Sequence, residues 1–233
     1  MILRPAEGPY RAQALLDFLA LRAVPGVEEV LQDGTYRRSL PDGRILELRA
    51  APDGMECNLE VPDLLDLDAP VGEIAERLGD LYTPGTRVPG CVDGDEIAVR
   101  AVLGQQITVR AARTHGGRLV QAAGVPLEHP VGAVTHSFPT LEAIAEAPDS
   151  AFAMPASRRE TLRRLAGQPL DRLIELKGIG PWTQTYVNLR VFKDRDAWLP
   201  TDIGVRHGLA KHGGDPERWR PFRAYAVISL WSA

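Results

Sequence analysis

Cysteine is almost missing from this chain: Cys57 and Cys91 are the only two among 233 residues. A zinc or iron–sulfur cluster needs about four ligands, so neither is expected, and the pair reads as reduced thiols. No run of about 18 apolar residues occurs, which argues against a membrane-spanning helix and a membrane partner. Met1 is not followed by a basic segment, an apolar stretch and a small-residue cleavage site, so a cytoplasmic location is expected. Repeats and low-complexity tracts are lacking too. With 44% hydrophobic and 25% charged residues, the composition suits one to three packed domains.

An overall positive charge is also lacking. The formal net charge is −4 and the pI about 5.8, which for the chain taken as one object argues against a nucleic-acid partner. The sign is unevenly spread. Residues 1–90 carry 9 Lys and Arg against 16 Asp and Glu; residues 91–233 carry 18 against 15, and from residue 155 onward 14 stand against 8. The last third can meet a phosphate backbone that the first third would avoid.

Residues 12–23, AQALLDFLALRA, repeat apolar positions near helical spacing and stop at Val24-Pro25-Gly26, which predicts a helix. Three alternating stretches follow, TYRRSL, RILELRA and MECNLEV. The turn signals Pro41-Asp42-Gly43 and Pro52-Asp53-Gly54 separate them, so they predict an antiparallel meander. With the amphipathic stretch 71–82 this makes a small α+β domain over residues 1–86. Beyond Pro89-Gly90 the strand signal largely disappears, and residues 87–233 read as helical. Asp93 or Asp95 caps a helix through Leu103, Gln105-Gln106 interrupts it, and a second helix covers 109–123. Thr140 and Ser157 are expected caps of two more. A short helix over 171–176 and longer ones over 181–192, 201–210 and 221–231 complete the reading.

In LKGIGPWTQTY, residues 176–186, an apolar helix end meets Gly178-Ile179-Gly180, and Pro181 opens the next helix where its missing N–H costs nothing. Without Cβ atoms, Gly178 and Gly180 let backbone N–H groups approach a phosphate, aided by the positive end of the following helix. Ile179 is expected to plug the hairpin into the core. A bare G-x-G-P is also an ordinary helix corner. Some twenty residues on, Leu199-Pro200-Thr201-Asp202 puts an acidic residue at the start of a helix, either as its cap or as a carboxylate facing a cleft.

The hairpin and its downstream Asp, together with LPTDIGVRHGL, RWRPFRAYAVISLW, RVPGCVDGDEIAVRAVLGQQI and DFLALRAV, carry a likeness over nearly the whole chain. The sequence resembles the 3-methyladenine DNA glycosylase II (AlkA-type) family of helix-hairpin-helix glycosylases. The resemblance implies an α+β fold: a small antiparallel sheet with a helix, then two mostly helical subdomains flanking a cleft, with the hairpin at about 171–192. It also implies a monomeric, monofunctional enzyme that hydrolyses the N-glycosidic bond of alkylated bases flipped out of double-stranded DNA. Asp202 becomes the catalytic carboxylate, stabilising positive charge on the sugar and orienting or deprotonating water. Trp182, Tyr186, Trp231 and Phe18 fall on the pocket positions, where aromatic faces would attract a cationic base.

The family's wedge into the base stack falls on Gln106, where its best-known pattern has an apolar residue; either Gln106 or Ile107 inserts. Backbone carbonyls of Ile174, Leu176 and Ile179 would hold a monovalent cation, Na or K, with no other cofactor required. Lys177, Arg158 and Arg159, with the backbone of Gly178 and Gly180, would contact DNA, as would Arg206, Arg218, Arg220 and Arg223. Lyase relatives carry a nucleophilic Lys where Trp182 stands, so no Schiff base is expected. Three other readings compete: a noncatalytic helix-hairpin-helix module, a glycosylase for oxidised or deaminated bases, and a helical scaffold. The connections before Gly85 and around Gln168-Pro169 look shorter than the family's.

Overall fold

Alternate residues of the expected meander point to one face, and the computed structural model, which describes residues 1–232, shows what covers it. Strands β1 (Ile2–Leu3), β2 (Glu28–Val30), β3 (Tyr36–Ser39), β4 (Ile45–Ala51) and β5 (Gly54–Cys57) pair antiparallel in the order β1-β5-β4-β3-β2. The register sets Tyr36 opposite Leu48 and Leu48 opposite Cys57, so these side chains and Leu46 share the inner face. α1 (Ala12–Arg22) covers that face with Leu15, Leu16 and Leu19. The edge strands β1 and β2, two and three residues long, carry too little alternation to be read from sequence.

α2 (Pro62–Leu65) joins the same core. α3 (Val71–Leu78) departs from expectation, because its apolar face of Val71, Ile74 and Leu78 packs with the C-terminal helices instead of the sheet. Amphipathic spacing says that a face is buried, not against what.

The remaining helices are α4 (Gly94–Leu103), α5 (Val109–Ala123), α6 (Leu141–Glu146), α7 (Ala156–Arg163), α8 (Pro181–Arg190), α9 (Ile203–His212) and α10 (Arg223–Trp231). Asp93 caps α4, accepting from the Asp95 amide at 2.9 Å, while Thr108 and Thr140 cap α5 and α6, each at 3.2 Å. Ser157 is not a cap. α7 begins two residues earlier than that cap implies, at Ala156 after Pro155, without a side-chain cap. The short element before the hairpin, Leu170–Glu175, is a 3-10 helix interrupted by non-helical backbone at Arg172. No helix among the described residues is long and apolar enough to cross a membrane, and both cysteines are free.

The helical reading of the second region fails in one place. A hairpin of β6 (Val125–Val131) and β7 (Val134–Ser137) interrupts it. β6 is exposed along most of its length and contains Pro126 and Pro130, so no alternating pattern announces it. The first domain holds the hairpin in place. The Thr135 and His136 amides donate to Gly26 O at 2.8 and 3.0 Å, Ser39 Oγ to His136 O at 2.7 Å, and Ser137 Oγ to Leu40 O at 2.9 Å.

Two cores divide the helices. α4 to α7 enclose one, and α3, α9 and α10 the other. α8 runs between them, with Val187 in the first, Leu189 in the second and Tyr186 bordering both.

Buried charges join the sheet to α4. Arg38 Nη2 meets Glu96 Oε2 at 2.5 Å; Arg100 Nη1 meets Glu96 Oε1 at 2.7 Å and Glu28 Oε2 at 2.9 Å. Burial pushes the Glu96 carboxyl up, but Arg38 and Arg100 outweigh it and hold it below the ordinary carboxylate range. Glu96→Gln leaves two buried guanidiniums short of a counter-charge and should cost about 3–5 kcal/mol of unfolding free energy in urea. Because the folded-state value lies below the unfolded one, this advantage of the parent is complete above the ordinary carboxylate range. It is lost as pH falls through the depressed value. An advantage that grew on acidification would contradict the pairing.

Candidate active site

Gly178-Ile179-Gly180 forms the expected hairpin between the 3-10 helix and α8. The Ile179 amide donates to Leu176 O at 3.0 Å, and the Ile179 side chain is buried in the first helical core. Gly178 has φ +98°, and a Cβ there would lie 2.1 Å from Thr161 Oγ1, so the fold itself demands glycine. Gly180 differs. Its backbone is extended and nothing lies within 4 Å of where a Cβ would be, which leaves open space at the N-terminus of α8.

Gln184 fastens the 3-10 helix to α8, accepting from the Ile174 amide at 2.8 Å and donating to Leu170 O at 3.0 Å. Gln105 Nε2 donates to Gly178 O at 3.1 Å and Thr183 Oγ1 at 3.0 Å, tying the hairpin to the turn between α4 and α5. In that turn Gln106 is exposed with φ +59°, while Ile107 is half-buried. A left-handed backbone costs a non-glycine residue about 1–2 kcal/mol, strain of the kind that gathers at functional turns.

Asp202 caps α9 and also accepts from two indoles. Its Oδ1 accepts from the Val205 amide at 3.0 Å and from Trp231 Nε1 at 2.8 Å, and its Oδ2 accepts from Trp182 Nε1 at 3.0 Å. Gly204 makes the room: a Cβ there would lie 2.7 Å from Trp231 Cδ1. Donors from α8, α9 and α10 thus fix the carboxylate plane at the seam between the helical cores. All four expected aromatics gather around it. Trp182 stacks on Tyr186 with centroids 5.3 Å apart, Tyr186 lies 6.4 Å from Trp231, and Phe18 stacks with Trp231 at 6.2 Å.

Two arginines that sequence reasoning missed complete the cluster. The Arg22 guanidinium lies 3.6 Å from the Phe18 centroid and 5.5 Å from that of Trp231. Arg190 lies 5.0 Å from the Phe18 centroid, donates to Tyr186 OH at 2.9 Å and is anchored on Pro89 O and Gly90 O at 2.5 and 2.8 Å. The cluster therefore already contains two cations of its own, over the aromatic faces. The spacing held a signal, since Arg22 follows Phe18, and Arg190 follows Tyr186, by one helical turn on the same face. Burial pushes Arg22 down to about 10; Tyr186 opposes this, and Arg190 and Arg100 add to it. Two surface cavities of about 650 and 370 Å³ lie elsewhere, beside Gly26 and Arg118 and beside Leu40 and Cys91.

Residues 3–93 match the family model for the AlkA N-terminal domain. Over 97% of this chain and 94% of the relative's length, the sequence is 32% identical to DNA-3-methyladenine glycosylase 2 of Escherichia coli (strain K12). The chain belongs to this AlkA family. It is also 38% identical, over 98% of its own length, to the "Probable bifunctional transcriptional activator/DNA repair enzyme AlkA" of Mycobacterium tuberculosis, and it spans only 56% of that protein. The α+β fold is that of 3-methyladenine DNA-glycosylase from Archaeoglobus fulgidus, with a TM-score of 0.78 at 19% identity, covering 99% of this chain and 97% of the other.

In this chain the expected DNA contacts fall into two groups. Arg159 pairs with Asp149 at 3.1 Å, and Arg220 and Arg223 pair with Asp196 at 2.7 and 2.8 Å, so their charges are engaged within the protein. Among the described residues, Lys177, Arg158, Arg206 and Arg218 make no ion pair, and Lys177 and Arg206 are exposed. Arg158 stands in the first turn of α7, where the helix dipole disfavours a cation.

The tyrosines offer a check on the cluster. Burial raises Tyr10, Tyr36, Tyr82 and Tyr225 above the ordinary tyrosine range. At Tyr186 burial also resists ionisation, yet Arg190, Arg22 and Arg100 outweigh it and hold the hydroxyl below that range. Alkaline titration followed by absorbance should resolve one tyrosine ionising ahead of the other four. That step should vanish in Tyr186→Phe and move upward in Arg190→Met; its survival in Tyr186→Phe would refute the assignment.

Proposed function

We propose that this chain is a monofunctional DNA base-excision glycosylase for alkylated bases of the 3-methyladenine or 7-methylguanine type. The observation that carries the reading is the Asp202 carboxylate, held by the indoles of Trp182 and Trp231 within an aromatic seam. As the N-glycosidic bond breaks, its electron pair leaves with the base and positive charge builds on the sugar. A fixed carboxylate in a poorly hydrated seam stabilises that charge and orients or deprotonates the water that adds to the sugar carbon. A purine alkylated at N3 or N7 is already cationic, so it departs neutral without an acid. Phe18, Trp182, Tyr186 and Trp231 supply aromatic faces to the base, and Arg22 either yields its place over Phe18 or turns its N–H groups to the base edge.

The partner is double-stranded DNA, whose damaged base reaches the seam only when flipped out of the stack. Gln106, projected by its turn, fills the vacated space. The open backbone at Gly180, with Gly178, Lys177 and Arg158 nearby, receives phosphates. Carbonyl oxygens of Ile174, Leu176 and Ile179 suit a monovalent cation; Leu176 O keeps a second lone pair beyond its bond from the Ile179 amide. The chain acts as a monomer in the cytoplasm or nucleoid. A noncatalytic hairpin module has no use for a carboxylate wired to two indoles. A lyase acting on oxidised bases requires an amine nucleophile, and the side chain at that position, Trp182, instead donates to Asp202.

Single-turnover release of base from duplexes containing 3-methyladenine or 7-methylguanine tests the proposal. Asp202→Asn should slow release by at least about 10²-fold with DNA binding retained, and borohydride should trap no adduct. A parent that binds but releases nothing would point to the noncatalytic module. Gly180→Ala should keep the parent's melting temperature while weakening DNA binding, since the fold leaves that position open. Unchanged binding would remove the hairpin from the phosphate contact.

A further inference from the structure

In the wall that α1 contributes to the aromatic cluster, Arg22 ends the helix and Phe18 stands one turn before it; the carbonyls of that end have no partner further along the helix. Those carbonyls are held from the helical region. Arg113 Nε donates to Ala23 O at 2.7 Å, and Arg100 Nη2 donates to Arg22 O. Cations at a helix C-terminus also oppose its dipole favourably. Arg100 lies on α4 and Arg113 on α5, the two helices that flank the Gln105-Gln106 turn. One turn beyond Arg113, α5 closes directly on the segment after α1: a Cβ on Gly116 or Gly117 would lie 3.1 Å from Val24 or 3.3 Å from Pro25. Arg100 is also a member of the buried ion network, so its removal would disturb the whole joint. Arg113 makes no ion pair among the described residues, and its guanidinium bond is to that one carbonyl.

We propose that Arg113 is a positioning residue that sets the α1 wall, Phe18 and Arg22, against Trp231 and so places both around the base. The proposal rests on the glycosylase reading for its consequence in catalysis, but not for its geometry. It predicts that Arg113→Gln loosens the end of α1, where Arg100 alone then holds a carbonyl, and lets Arg22 drift from Tyr186, while Arg113→Lys, which keeps a cationic donor, restores most of the parent behaviour.

Two measurements on the full chain decide it. In single-turnover base release from a 7-methylguanine duplex, Arg113→Gln should lose up to about 10²-fold, the scale of a misplaced group remote from the reacting bond. Its affinity for a duplex bearing a tetrahydrofuran abasic analogue should match the parent's. In a Phe18→Ala background the same substitution should have little further effect, because the wall it positions is gone. In the alkaline titration, the Tyr186 step should rise in Arg113→Gln as Arg22 withdraws, and return in Arg113→Lys. An equal loss of rate in the Phe18→Ala background, or a Tyr186 step that stays where it was, overturns the proposal. A parent that releases no base overturns the glycosylase reading instead, and the Tyr186 step still decides the positioning role.

Discussion

Glu96 sits between Arg38 of the sheet and Arg100 of its own helix, with Glu28 completing the neutralisation, in a region almost closed to water. A joint made of charges tolerates little displacement, since any guanidinium pulled from its carboxylate stays buried and unpaired. An apolar contact can slide by an ångström at modest cost; this one cannot. The orientation of the first domain on the helices is therefore set at α4, and α1 is carried with it to the aromatic cluster. Without that placement Phe18 and Arg22 would not reach Trp231.

The seam itself follows from α8, which gives alternate parts of one turn to two different cores. A helix shared in this way leaves a line along which neither core closes. Side chains on that line are half-buried, and there Trp182 and Tyr186 meet Trp231 and Asp202. The hairpin at the N-terminus of α8 and the Gln105 bond from the preceding turn fasten two chain reversals to the same helix. The hairpin, the turn between α4 and α5 and the aromatic cluster are thereby referenced to one helix.

Electrostatics divides the molecule in a second way. The acidic sign of the first ninety residues and the basic sign of the last third fall on different units, so the net value of −4 describes neither. Inside the seam the charge is positive at Arg22 and Arg190 and negative at Asp202, with aromatic rings between. The guanidiniums depress the ionisation of Tyr186 and lie over Phe18, so polarity within the pocket is set by residues flanking the aromatic ones.

Much of this was legible in local pattern. Apolar spacing in residues 12–23, the turn signals at Pro41 and Pro52, the caps at Asp93 and Thr140, and the hairpin glycines each act within a few residues of themselves, so a one-dimensional reading finds them. Asp202 and its four aromatics were also reachable, through the likeness of several segments to one family. Hidden were the β6–β7 hairpin, whose hydrogen bonds run to Gly26, Ser39 and Leu40, the partner of α3, the arginines that enter the aromatic cluster, and the choice among arginines between an internal carboxylate and open solvent. The sequence by itself determined the elements, their caps and the residue types of the site. Only the tertiary structure decided which surfaces meet and which charges are already spent, because burial and pairing depend on groups far apart along the chain.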